Sequence, residues 1–206
     1  ATLSGTGDFA YTDTDGLTVG GIGATTGVTT NAGNILITAG AIAVNEAVTA
    51  GTAGDITLTT TSTMGAGTLT LNANVAAAGD DIFLVSTDGI NQTGGTLSAA
   101  NLTVTAVDGV TLTQTGNAVA LLEATLSGTG NFAYTDTDGL TVGGIGATTG
   151  VTTNAGNVLI TAGGITVNEA VTAGGTGDIT LTTTSGAGAG TLTLNANVAA
   201  AGDDIF

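Results

Sequence analysis

Apolar and polar residues alternate along much of the chain, and the alternation predicts strands. Asp55 to Thr61 reads D-I-T-L-T-T-T, with Ile56 and Leu58 on one side and Thr57, Thr59 and Thr61 on the other. Successive side chains of a strand point to opposite faces, so this pattern gives one dry face and one wet face. Thr68 to Asn72 repeats it with Leu69 and Leu71 inward, Leu102 to Ala106 with Leu102 and Val104, and Val110 to Thr115 with Val110 and Leu112. Asn34 to Thr38 and Asn157 to Thr161 are denser in apolar residues and predict the deepest strands. Thr, Val and Ile dominate these stretches, as a pleated surface prefers. Helix has little room, because the longest stretch without Gly runs only from Thr96 to Asp108, and isolated helices that short are marginal in water. Asn117 to Thr125, N-A-V-A-L-L-E-A-T with Asn117 as a cap, is the one competing helical candidate.

The strands belong to a repeat. Ala1 to Phe83 returns as Ala124 to Phe206, with eight differences between the copies. These are Asp8/Asn131, Ile35/Val158, Ala41/Gly164, Ala43/Thr166, Thr52/Gly175, Ala53/Thr176, Thr63/Gly186 and Met64/Ala187, all small or nearly isosteric. A fixed period marks units that bury their faces only against neighbours, so residues 1–123 and the shorter copy 124–206 are expected to form one continuous solenoid. Phe83 runs on into Leu84 to Glu123 before the second copy starts, so the chain reads as a window on a longer array.

Shorter turns are expected inside the long period. An Asn or Asp precedes an apolar residue at Asp8-Phe9, Asn34-Ile35, Asp55-Ile56, Asp81-Ile82, Asn101-Leu102 and Asn131-Phe132, at intervals that together fill one period. Divided into six coils per period, they give about 20.5 residues per coil and about ten coils in the chain. Asn and Asp tolerate tight turns and bond nearby backbone, so stacked corners of them are expected to satisfy one another. At a strand spacing of about 4.8 Å, equivalent residues of the two copies would lie roughly 29 Å apart. The predicted fold is all-β, a parallel β-solenoid (β-helix) of about 20 residues per coil.

Composition then narrows the function classes. The chain has no Lys, Arg or His against 16 acidic residues, a formal charge of −16. Nucleic acid and anionic lipid are bound through Lys and Arg, so neither is an expected partner. The same lack removes the usual general base and the cationic electrophiles of enzymology, and no catalytic residue is assigned. With no Cys there is neither disulfide nor thiolate site. At 42% hydrophobic and 8% charged residues the chain is expected to fold. No stretch reads as a membrane helix, and six aromatics without Trp are too few for the girdles of a membrane barrel.

Runs such as GDITLTTTS, GTLTLNANV, ANLTVTAVDGVTLTQTG and GNILITAGAI resemble the passenger repeats of filamentous-haemagglutinin-type exoproteins, the adhesins of bacterial two-partner secretion. The resemblance covers essentially the whole chain and is one of texture. It implies a right-handed parallel β-helix, export in the unfolded state, and a place outside the cell or on its surface as an extended adhesive fibre. Surface glycans and further copies of the chain, end to end or side by side, are the partners it suggests. The family's amino-terminal secretion domain is not in this sequence, and the lack of basic residues departs from the pattern.

Few motifs suggest chemistry. Asp80-Asp81 and Asp203-Asp204 are the adjacent acid pairs; polysaccharide hydrolases use paired carboxylates, but here a polar coil corner is the simpler reading. Asp13-Thr14-Asp15-Gly16 and its copy Asp136 to Gly139 look like part of a Ca²⁺ loop, which makes Asp13, Asp15, Asp136 and Asp138 the metal candidates. They lack the first and last ligands of the full loop, and a plain turn competes with them. Outward Thr columns raise ice binding as a weaker alternative, and Asn91-Gln92-Thr93 and Asn101-Leu102-Thr103 match a glycosylation acceptor. Phe9 with Tyr11, and Phe132 with Tyr134, share a face and are expected to pack in the core rather than to stack on sugar.

Overall fold

The computed structural model describes residues 1–145, 150–185, 190–202 and 204–206, and among them it contains no helix. Every strand pair is parallel except Gly21–Ile22 with Thr25–Thr26, a small antiparallel excursion. The chain coils upon itself, and each coil lays its strands on those of the coil before. Leu17, Ile42, Leu69, Ile90, Val110, Phe132, Val158, Ile179 and Ile205 stand one above another through eight turns. A second face is built the same way from Phe9, Ile35, Ile56, Ile82, Leu102 and Leu122. A third begins with Val28, Val48, Val75 and Leu97. The long strand Ala118–Leu126 crosses from the third face to the second. Above its first half stand Leu140, Ile165 and Leu192, and above its second half Val151, Val171 and Val198.

The predicted alternation is what fills the centre. Ile35, Ile37, Ile56, Leu58, Leu69, Leu71, Ile82 and Leu84 are all at most 1% exposed, and the residues between them, Thr57 and Thr70 but also Leu36 and Phe83, turn to the other face. Each such side chain contributes about 1.5–3 kcal/mol by leaving water. Asn117 to Thr125, the helical candidate, lies almost wholly in the strand Ala118–Leu126, whose partners are the ten-residue strand Leu97–Ala106 below it and Gly139–Val142 and Val151–Thr153 above. Tertiary pairing decides here: Leu122, Ala124 and Leu126 enter the core at strand spacing, and Val119 enters it three residues earlier, on the third face.

The coil count differs from the expected one. Where the chain takes no detour, as from Ile82 to Leu102, Leu122 and Val142, a turn takes about 20 residues, the expected size. Turns that contain the excursion at Gly20–Gly27 or the one at Thr61–Gly67 lengthen by roughly a quarter to a third. The six Asn/Asp corners are also not six coils. The steps from Asp8 to Asn34, Asp55, Asp81 and Asn101 are one turn each, because the residues after them pair in register. The last step, from Asn101 to Asn131, is longer than one turn. Leu122 lies above Leu102, whereas Phe132 lies on the neighbouring face, above Val110.

The two copies are therefore not stacked face on face. Phe9 occupies the face of Ile82 and Leu102, while its copy Phe132 occupies that of Ile90 and Val110. Likewise Thr2 pairs with Thr29, but its copy Thr125 continues the face of Thr59, Val85 and Thr105. One period thus spans five turns and about a third of a sixth. At about 4.8 Å per coil that is an advance of roughly 26 Å rather than 29 Å.

Candidate functional site

Glycine and the Asn/Asp residue after it build the corner that runs up the solenoid. The backbone N–H of Asn34 donates to Asp8 Oδ1 at 2.8 Å, that of Asp55 to Asn34 Oδ1 at 2.9 Å and that of Asp81 to Asp55 Oδ1 at 3.3 Å. Asn101 closes the series by donating its side-chain amide to Asp81 Oδ1 at 2.6 Å. In the second copy the N–H groups of Asn157, Asp178 and Asp204 donate in turn to Asn131, Asn157 and Asp178. The expected mutual satisfaction of stacked corners is thus present in both copies. At Gly-led corners the close approach requires glycine: a Cβ on Gly33 would sit 2.0 Å from the carbonyl oxygen of Gly7, and one on Gly156 2.0 Å from that of Gly130.

This corner gathers the one acid cluster among the described residues. Carboxylate oxygens of Asp55, Asp80 and Asp81, all half-buried, lie within 4.8 Å of one another. Asp80 reaches it from the turn after Val75–Ala77, and Asp81 opens the strand Asp81–Ser86. Burial pushes the Asp55 carboxyl above its ordinary value, the N–H of Asp81 pulls it back, and the charges of Asp80 and Asp81 push it up again. In the second copy the corresponding acids are Asp178, Asp203 and Asp204, of which Asp203 lies outside the described residues. Three carboxylates offer hard oxygen ligands of the kind Ca²⁺ takes, though fewer than the roughly 6–8 it gathers. As a catalytic pair they would work without any His, Lys or Arg, since the chain has none.

The expected Ca²⁺ residues Asp13, Asp15, Asp136 and Asp138 lie outside this cluster. Asp13 Oδ1 accepts the N–H of Asp15 at 3.0 Å, and Asp136 Oδ1 that of Asp138 at 2.8 Å, so both loops are turns closed by their first carboxylate. Asp136 is buried, and its Oδ2 accepts the hydroxyl of Tyr134 at 2.8 Å and the N–H of Val119 at 2.9 Å. Burial, then the Asp136 charge and hydrogen bond, drives the Tyr134 phenol far above its ordinary value. Phe132 and Tyr134 are core residues as expected, both 0% exposed. Phe9 and Tyr11, in the first coil, are partly open.

Two buried polar groupings escaped sequence reasoning. Asn117 Oδ1 accepts from Gln92 Nε2 at 2.8 Å and from the Leu97 N–H at 2.9 Å, while Asn117 Nδ2 donates to Gln92 Oε1 at 3.0 Å. Glu123, 3% exposed, accepts the N–H of Ile145 at 2.8 Å. Gln92, Asn117 and Glu123 lie in Leu84 to Glu123, the segment present once, where no second copy reveals a pattern. The glycosylation acceptors divide: Asn91 is exposed, whereas the Asn101 amide is engaged by Asp81. No helix among the described residues is long and apolar enough to cross a membrane. Comparison with family models, with curated proteins and with solved structures finds no match.

Proposed function

We propose that the chain is a segment of a stiff, extracellular, adhesive fibre whose role is structural and not catalytic. The observation that supports this best is the unbroken parallel pairing along the axis. Eight turns share one hydrogen-bonded stack around a continuous aliphatic core. In such a one-dimensional stack each coil touches only its neighbours, so length is gained by adding coils without redesigning the rest. Outward Thr, Asn and Asp keep the rod wet, and the lack of Lys and Arg leaves trypsin no cleavage site. The resemblance of the repeats to haemagglutinin-type exoproteins points the same way.

Pulling single chains by their two ends tests the reading. A fibre segment holds load and then releases its coils in cooperative steps; smooth extension at low force would oppose a load-bearing role. A saturable signal on a glycan array, lost on substitution along one face, would instead make the chain a specific binding module.

A further inference from the structure

The corner bonds that tie one coil to the next run from Asp8 to Asn101 and again from Asn131 to Asp204. Between the two series the chain advances by a face, and Leu121, neither Asn nor Asp, stands above Asn101. Alternation alone sets the register there only to within two residues. A slide of one residue turns every side chain to the wrong face, but a slide of two keeps apolar on apolar. Phe132–Thr135 moved by two along Val110–Leu112 would set Tyr134 on Val110 in place of Phe132. Gln92 and Asn117, 5% and 0% exposed, lie in this stretch and bond each other through both amides. Asn117 also accepts the N–H of Leu97 from the coil below, and donates to the Leu112 carbonyl of its own coil and to the Thr135 carbonyl of the coil above, both at 3.2 Å. The N–H of Thr137 donates to the Asn117 carbonyl at 2.9 Å. By contrast, the buried hydroxyls of Thr30 and Thr153 bond the carbonyls of Gly33 and Gly156, three residues on, and so move with their own coil.

We propose that the Gln92–Asn117 pair is a register pin, which fixes how the second copy of the repeat is seated on the segment Leu84 to Glu123 in the gap between the two corner series. The pair and its backbone partners hold three successive coils at once. A two-residue slide parts Asn117 from the Thr135 carbonyl and leaves buried donors and acceptors without partners, although every apolar contact is kept in kind. In the observed register no buried side-chain nitrogen or oxygen among the described residues lacks a partner. Setting register is the best-attested use of a buried polar group that adds little to stability. Both residues lie in the segment present once, between copies whose strands are otherwise nearly interchangeable. The pin concerns how the copies stack and stands apart from the use to which the rod is put.

Disulfide trapping in the intact chain tests it, because the sequence has no Cys of its own. Thr111 and Ala133 are direct partners on the outer side of the stack, so Thr111→Cys with Ala133→Cys closes on oxidation in the observed register. Thr111→Cys with Thr135→Cys, or with Asn131→Cys, closes only after a slide of two residues, since a disulfide spans no more than roughly 7 Å between Cα atoms. In the otherwise unaltered chain only the first pair should close. With Gln92→Met and Asn117→Leu together, a slipped pair should close in a resolved fraction of the chains. Thr153→Val, which removes a buried hydrogen bond within one coil, should leave the first pair alone closing. Pin variants that show the strand signal of circular dichroism and close only the first pair would overturn the proposal. So would slipped pairs that close equally in Thr153→Val or without any pin substitution. If the double variant does not fold, Gln92→Met alone leaves Asn117 its bonds to Leu97, Leu112 and Thr135, and the same outcomes decide.

Discussion

The Asn131 side-chain oxygen accepts the backbone N–H of Asn157 at 2.8 Å, and Asp8 does the same for Asn34 at 2.8 Å in the other copy. Asp and Asn are interchangeable at this corner because only one acceptor oxygen is used. Asn34→Ala leaves the Asp55 N–H without that acceptor and is expected to cost about 0.5–1.5 kcal/mol. Asp8→Asn should change stability by less than about 0.5 kcal/mol. Urea unfolding of both variants at one pH checks the contrast.

Gly156→Ala places a methyl group 2.0 Å from the Gly130 carbonyl oxygen, a backbone atom that has nowhere to go. A loss of about 1–3 kcal/mol is expected, as for other overpacked sites. Gly139→Ala is the control, since a Cβ there meets nothing within 4 Å. Thermal unfolding of the pair should separate them clearly, and equal losses would remove the argument from close approach.

Identical octapeptides should answer differently to one substitution. Tyr134→Phe takes a donor from the buried Asp136 carboxylate and is expected to cost about 1.5–3 kcal/mol. Tyr11→Phe, whose hydroxyl makes only an exposed contact of 3.3 Å to Asp13, should cost less than about 0.5 kcal/mol. Denaturant midpoints of the two variants, with unchanged slopes, are the measurement.

Asp55 gives a pH prediction with a definite sign. Its folded-state carboxyl is raised above the ordinary value, chiefly by burial. Folding therefore favours the protonated form, and this group's contribution turns unfavourable as pH rises from below about 4 through the folded value. Asp55→Asn keeps the acceptor oxygen for Asp81 and removes the charge. It should stabilise the fold at neutral pH, with the gain fading in acid, when unfolding is followed across pH at fixed salt. A gain that persists unchanged into acid would contradict the assignment.

Much of this was legible in the sequence because the solenoid writes its contacts into short spacings. Ile56 and Leu58 alternate with Thr57 and Thr59 in the chain just as they alternate between core and surface. The Gly-Asn and Gly-Asp corners mark where one coil meets the next. The turn count was hidden for a physical reason. Spacing counts residues, and a detour such as Gly20–Gly27 adds as many as a stretch of wall does. The stretch from Asn101 to Asn131 therefore reads as one long coil, while pairing shows a coil plus an advance to the next face. The acid cluster was half visible: Asp80 and Asp81 are neighbours in sequence, but Asp55 joins them only through stacking.

That advance sets how a longer array of such copies would look from the side. A feature carried once per copy would wind around the rod and return to the same side only at every third copy. A flat surface laid along the rod would then touch one copy in three, and three such surfaces could share it without competing.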